Sequence, residues 1–146
     1  MFKKSLVFMV GLVLVLSLVN VGMAQDMNPK VKEMVASARA AIKIIAPEAV
    51  KTSIDSKEKA VILDVRDGGE FSAGHLPGAM NISRGTLEFV VFGKIPDQNT
   101  KIYTYCKTGA RCTLATKTLN DLGYKNAVMM DATYADWVKA GYPVER

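Results

Sequence analysis

The feature that most constrains the fold is a run of consecutive apolar residues, 60–63, that ends at Asp64. Because these residues do not alternate with polar ones, the run predicts a strand buried on both faces, as in a parallel sheet. Similar strand patterns occur at 43–45, 79–82, 101–105 and 127–130. Helix-like segments separate the five strands. The sequence therefore predicts an α/β fold of three layers, in which helices flank a central, mostly parallel sheet.

The predicted helices connect these strands. One begins at Pro47. The others cover about 31–43, 70–73, 86–92, 112–122 and 133–140. In chain order, the first has apolar residues at the spacing of one helix face, and Asp67-Gly68-Gly69 predicts a turn before the third. We therefore expect residues 25–43 to form a helical lead-in and residues 44–146 to form a single domain.

The beginning of the chain has the layout of a secretory signal peptide. Two lysines precede an apolar stretch at 6–19, and small residues lead up to Ala24. The stretch is shorter than the roughly 20 residues that a membrane-spanning helix needs. We expect residues 1–24 to be cleaved and the mature chain to be exported, to a periplasm or the extracellular space, without stable membrane association. A retained membrane anchor is the alternative.

Composition argues against several classes of partner. The formal net charge of +5 falls by two without the lysines of the leader, and no run of Lys or Arg suggests nucleic-acid binding. The only histidine is His75 and there is no Cys-x-x-Cys pair, so neither a metal nor another cofactor is expected. The two cysteines, Cys106 and Cys112, are too close in sequence for a disulfide that closes a long loop, which indicates chemistry instead.

Cys106 follows the predicted strand 101–105, at the sheet edge where open α/β sheets bind ligands. A short loop containing Gly109 then leads into a helix, so backbone N–H groups and the helix N-terminus can hold an anion there. This environment favours the thiolate, which is the nucleophilic form of cysteine. Lys107 and Arg111 add positive charge that suits an anionic reactant. The alternative is a cysteine that simply packs in the core.

Other polar side chains near this edge have simpler explanations. Asp64, Arg66 and Glu70 are expected to form an ion-pair and capping network, and His75 is expected to hold its loop by hydrogen bonds. Tyr105 is a candidate for the wall of the pocket.

Three segments, in the same order along the chain, resemble motifs of the rhodanese family. Residues 61–82 resemble its amino-terminal signature and read Val-Ile-Leu-Asp-Val-Arg-Asp-Gly-Gly-Glu-Phe-Ser-Ala-Gly-His-Leu-Pro-Gly-Ala-Met-Asn-Ile. Residues 103–111 resemble its active-site strand and loop, and Trp137 with residues 140–144 resembles its carboxyl end. The resemblance spans about 45–145 and implies the rhodanese-like fold.

The resemblance also implies a sulfurtransferase. Cys106 would take a sulfur atom from a small anionic donor such as thiosulfate, hold it as a persulfide, and pass it to a thiol, a protein or cyanide. The donor-binding loop would consist of Lys107, Thr108, Gly109, Ala110 and Arg111. Relatives that act on phosphate or arsenate have Cys-x5-Arg, whereas this chain has Cys-x4-Arg, the spacing that accompanies sulfur chemistry in the family.

Two places depart from the family pattern. Before its last helix the family often has a Gly-Gly turn, where this chain has Asp131-Ala132-Thr133, a difference expected to affect the shape of the loop and not the chemistry. The position after the loop arginine is usually Ser or Thr, and here it is Cys112. Cys112 is a candidate resolving thiol that would convert a Cys106 persulfide into a disulfide, as in a thiol–disulfide or sulfur-relay protein. The alternatives are a packing residue in a sulfurtransferase and a sulfur-carrier module without catalysis of its own.

Overall fold

The computed structural model describes residues 27–146, so the expected signal peptide at 1–24 lies outside the described residues. Within residues 27–146 the sheet has five strands in the order β1-β5-β4-β2-β3, and every pair is parallel. The strands are β1 (Ile44–Ile45), β2 (Ala60–Asp64), β3 (Met80–Asn81), β4 (Lys101–Tyr105) and β5 (Ala127–Met130). The predicted α/β fold with a central parallel sheet is confirmed.

Six helices connect and flank the strands within residues 27–146. They are α1 (Pro29–Ala40), α2 (Pro47–Asp55), α3 (Gly68–Ala73), α4 (Leu87–Lys94), α5 (Ala110–Asp121) and α6 (Tyr134–Lys139), with a 3₁₀ turn at Arg84–Thr86. Helix α1 lies against α5, so part of the expected lead-in at 25–43 packs on the domain. None of these helices is long and apolar enough to cross a membrane.

Three helix starts lie two residues before the predicted ones, and the first of them is that of α1, at Pro29 rather than residue 31. Helix α3 begins at Gly68 rather than Glu70, because Asp67 caps it and the Glu70 carboxylate accepts a hydrogen bond from the Asp67 N–H at 3.1 Å. Helix α5 begins at Ala110 rather than near Cys112, because Gly109 takes a φ of +91° and serves as the N-cap. Ala110 and Arg111 therefore belong to the first turn of the helix.

The two faces of the sheet carry separate apolar layers. Leu87 and Val91 of α4 and Leu119 of α5 pack on one face, whereas Val50 of α2 and Trp137 of α6 pack on the other. Burying a large apolar side chain is worth about 2 kcal/mol, so both layers contribute substantially to stability.

Strand alternation decides which layer receives the cysteine. Successive side chains of a strand point to opposite faces, and along β4 Ile102 enters the α5 layer whereas Tyr103 and Tyr105 enter the α2 and α6 layer. Cys106 immediately follows β4 and continues the alternation into the α5 layer. Its sulfur is therefore directed toward the beginning of α5.

Candidate active site

Cys106 lies between the end of β4 and the first turn of α5, at the carboxyl edge of the sheet. Its carbonyl accepts a hydrogen bond from the Tyr134 N–H at 3.0 Å, which ties the loop to the start of α6. Residues 107 and 108 are exposed, and the chain then turns back at Gly109. A side chain at Gly109 would have to adopt the left-handed region that L-residues rarely occupy. The glycine is therefore needed for this tight return.

The turn at Gly109 places two backbone N–H donors against the Cys106 sulfur. The Gly109 N–H lies 3.1 Å from Cys106 Sγ and the Cys112 N–H lies 3.3 Å from it. Both groups belong to the beginning of α5, where backbone N–H groups have no partner inside the helix. A thiolate satisfies these donors and also benefits from the positive end of the helix dipole.

Cys112 is a direct side-chain neighbour of this sulfur. The two Sγ atoms lie 3.2 Å apart, and the Cys112 sulfur lies 3.1 Å from the Gly109 carbonyl oxygen. A thiol has one hydrogen, so Cys112 donates either to a Cys106 thiolate or to this carbonyl, and not to both at once. Both cysteines are free thiols. The six-residue separation in sequence is thus closed by the loop and the first helical turn.

These contacts lower the pKa of the Cys106 thiol below that of an ordinary cysteine. The largest cause is the hydrogen bond from the Cys112 side chain, and the backbone N–H groups of Cys112, Thr108 and Gly109 act in the same direction against the effect of burial. The same hydrogen bond, together with burial, raises the pKa of Cys112. Cys106 is therefore the thiolate of the pair and Cys112 the protonated donor.

Burial of the pair is a feature that the sequence did not predict. Cys106 and Cys112 both have 0% of their surface exposed. Burial alone would suit a packing cysteine. The backbone donors aimed at Cys106 distinguish it from one, because an apolar core position offers a sulfur no such partners.

The two loop cations have different surroundings. Arg111 forms two hydrogen bonds with the Glu70 carboxylate, at 2.7 and 3.0 Å, and lies 3.6 Å from the Asp67 carboxylate. The pair holds the pKa of Glu70 at about 2, chiefly through the Arg111 hydrogen bonds, so its charges offset each other. Lys107 is exposed, and among residues 27–146 no carboxylate pairs with it. Arg111 thus joins α5 to α3, whereas Lys107 contributes an exposed positive charge to the loop.

The expected ion-pair and capping network is present, but it is divided: Asp64 pairs with Arg66, whereas Glu70 caps α3 and pairs with Arg111. One expectation for a neighbouring residue needs correction. Tyr105 does not reach the pocket, because it points to the opposite face and its hydroxyl donates to Asp64 at 2.6 Å. The strand alternation could have excluded Tyr105, since adjacent Tyr105 and Cys106 cannot share a face.

A buried ion pair supports the strand ends beside the loop. The Arg66 guanidinium donates to the Asp64 carboxylate, with the shortest contact at 2.6 Å, and also to the Gly74 carbonyl at 2.6 Å. Asp64 is 0% exposed and Arg66 is 3% exposed. His75 has the expected structural role, since its ring hydrogen-bonds the Phe71 carbonyl at 3.0 Å and stacks on the Phe71 ring.

Models of known protein families identify the family to which this chain belongs. The family model of the rhodanese-like domain matches residues 46–140. The chain belongs to the rhodanese-like domain family. The family expected from the sequence is thereby confirmed.

Individual relatives agree with the family. Thiosulfate sulfurtransferase GlpE of Pseudoalteromonas translucida is 31% identical over 84 residues, which cover 58% of this chain and 78% of GlpE. YrkF of Bacillus subtilis, named as a candidate sulfur carrier protein, is 33% identical over 93 residues, 64% of this chain. The rhodanese-like chain spans only 49% of the length of YrkF.

A solved structure extends the likeness to most of the fold. The polysulfide-sulfur transferase homodimer of Wolinella succinogenes has a TM-score of 0.68 and 27% sequence identity, with 80% of this chain and 87% of that chain covered. The relatives therefore include both sulfurtransferases and a candidate sulfur carrier.

The lowered pKa of Cys106 predicts the pH dependence of its reaction with a small electrophile such as iodoacetamide. A free cysteine loses reactivity as the pH falls through about 8.5, whereas the rate of Cys106 alkylation should stay constant as the pH falls through about 8. Below the lowered pKa it should drop about tenfold per pH unit, because only the thiolate attacks. Cys112→Ala should move the midpoint upward, and Cys112→Ser, which keeps a donor, should move it less. A wild-type midpoint at the ordinary cysteine pKa would contradict this assignment.

Proposed function

We propose that this protein is a thiosulfate-type sulfurtransferase that carries sulfur as a persulfide on Cys106. The observation that carries the proposal is the set of donors around one sulfur atom: the Gly109 and Cys112 N–H groups and the Cys112 thiol, all within 3.3 Å. These donors stabilise a negative charge on sulfur, which both the thiolate and the persulfide carry.

The reaction proceeds in two displacements. The Cys106 thiolate attacks the outer sulfur of thiosulfate, the bond between the two sulfur atoms of thiosulfate breaks, and sulfite leaves with the electron pair. A nucleophilic acceptor, a thiolate or cyanide, then attacks the outer sulfur of the persulfide and regenerates the Cys106 thiolate. No step consumes an oxidant or a reductant, because the sulfur atom moves with its oxidation state unchanged.

Access to Cys106 restricts the donor to small molecules. The cysteine has no exposed surface, so the loop must shift before a donor reaches it. Gly109 contacts the sulfur and, with Thr108, also lines a cavity of about 190 Å³. A shift of residues 107–109 would join this cavity to the sulfur. Thiosulfate is small enough to enter by this route, and an extended protein substrate is not.

The direct assay is the formation of thiocyanate from thiosulfate and cyanide by the purified protein. The proposal expects turnover that saturates with thiosulfate, with one sulfite released for each thiocyanate formed. A protein that exchanges sulfur only with a protein partner would fail this assay, and that result would favour the sulfur-carrier alternative.

The unequal surroundings of the two loop cations predict unequal mutational effects. Lys107→Ala should lower kcat/KM for thiosulfate roughly three- to tenfold at low ionic strength, and the loss should shrink in high salt as screening removes the attraction. Lys107→Arg is the matched control and should retain most of the activity. Arg111→Ala should instead reduce activity about equally at all salt concentrations, because its charge is offset by Glu70. Salt-independent effects of Lys107→Ala would exclude it from donor recruitment.

We further propose that the domain works outside the cytoplasm. The support is the leader-like pattern of residues 1–24. Cys106 and Cys112 would then act in an oxidising compartment, where a neighbouring thiol pair readily becomes a disulfide.

A further inference from the structure

The contact between the two thiols supports a second reaction at the same site. Their sulfur atoms lie 3.2 Å apart, and a disulfide requires about 2.05 Å, so the gap closes by about 1.1 Å. Each sulfur is held by backbone contacts at the loop and first turn of α5: Cys106 by the Gly109 N–H and Cys112 by the Gly109 carbonyl. The pair is thus arranged so that a small side-chain movement brings the sulfurs to bonding distance.

We propose that Cys112 resolves the Cys106 persulfide and releases its outer sulfur as hydrogen sulfide, which makes the protein a sulfane-sulfur reductase in addition to a transferase. This inference rests on the persulfide of the proposed function. It concerns a residue that takes the place of the hydroxyl usual in the family.

The step balances in atoms and electrons. The Cys112 proton first passes to the negatively charged outer sulfur of the persulfide, which leaves Cys112 as a thiolate. Cys112 Sγ then forms a bond to Cys106 Sγ, the bond between Cys106 Sγ and the outer sulfur breaks, and the outer sulfur leaves with that electron pair as HS⁻. The two cysteine sulfurs are oxidised to a disulfide while the sulfane sulfur is reduced to sulfide. An external thiol, as reductant, restores both thiols for another cycle.

Burial favours this internal reaction over competing ones. Both side chains are 0% exposed, so water and bulk thiols are excluded from Cys106 while the loop is closed. Cys112 is in van der Waals contact with the atom that it must attack, and such proximity replaces a bimolecular encounter by an intramolecular one. The fraction of persulfide sulfur that is transferred to an acceptor, rather than released as sulfide, then depends on whether an acceptor arrives before Cys112 reacts.

The test uses one round of loading without acceptor. Wild type and Cys112→Ser are reduced, treated with thiosulfate, freed of excess donor, and sampled for sulfite, sulfide and intact mass after alkylation in denaturant. Sulfite release reports loading in both proteins, whatever the later fate of the persulfide. Wild type should release one sulfide per sulfite. It should end with Cys106 and Cys112 joined in a disulfide, so that both thiols can be alkylated only after reduction. Cys112→Ser should keep an adduct of about 32 Da on Cys106 at least about tenfold longer and release no sulfide.

The outcomes separate the two proposals. If wild type releases sulfite but keeps the adduct with Cys112 open to alkylation, Cys112 is only a hydrogen-bond donor and the resolving role is overturned. If neither protein releases sulfite, the persulfide itself is absent and both proposals fail. If Cys112→Ser does not fold, the wild-type sulfide yield and thiol count still decide between these results.

Discussion

The Cys106→Ser variant is expected to lose at least about 1,000-fold in the rate of sulfur transfer from thiosulfate to cyanide while remaining folded. A serine hydroxyl is not ionised at neutral pH and cannot form a persulfide, so both displacements are lost. The hydroxyl can accept the hydrogen bonds that the Gly109 and Cys112 N–H groups now direct at the sulfur. The free energy of unfolding should therefore change by no more than about 1.5 kcal/mol.

The control for this variant is thermal unfolding monitored on the same preparation. A folded Cys106→Ser protein that keeps more than about a tenth of wild-type turnover would show that Cys106 is not the covalent carrier. An inactive variant with a native unfolding transition assigns the loss to chemistry, since the alternative of a packing cysteine predicts only a change in stability.

Replacing Arg66 by Met should lower the free energy of unfolding by about 3–5 kcal/mol, because it leaves the Asp64 carboxylate buried without its cation. Arg66 also donates to the Gly74 carbonyl at 2.6 Å and lies over the Tyr134 ring, so the variant loses contacts that hold the connection after α3. Denaturant unfolding measures the loss.

The chain offers a matched control for this prediction. Lys101 and Glu58 form an ion pair with the same 2.6 Å separation, but their side chains are 45% and 36% exposed. Water solvates both charges there, so Lys101→Met should cost only a small fraction of the Arg66→Met effect. Equal losses in the two variants would show that burial does not determine the contribution of the Asp64–Arg66 pair.

The sheet was predictable from the sequence because one of its interior strands, β2, has a distinctive apolar pattern. Residues 60–63 are consecutively apolar, and in the structure Ile62 and Leu63 enter opposite apolar layers of one parallel sheet. The position of Cys106 at the end of β4 was predicted from the same kind of pattern, together with the loop glycine and the family resemblance.

Details of the site that depend on backbone geometry were harder to predict. The helix boundary at Ala110 depends on the positive φ of Gly109, which no apolar period reveals. The pairing of Arg111 with Glu70 joins two segments 41 residues apart and depends on where α3 starts. The burial of Cys106 likewise arises from how closely the loop folds back over the sulfur. Local residue patterns do not encode these distances.

The most direct measurement of the central claim is the intact mass of the protein after reaction with thiosulfate and removal of excess donor. Using Cys112→Ser prevents internal resolution from hiding the product. We expect a gain of about 32 Da that maps to Cys106, disappears on addition of cyanide, and is absent from a protein that also carries Cys106→Ser. An unchanged mass accompanied by no sulfite, or an adduct on any residue other than Cys106, would contradict a persulfide mechanism at this site.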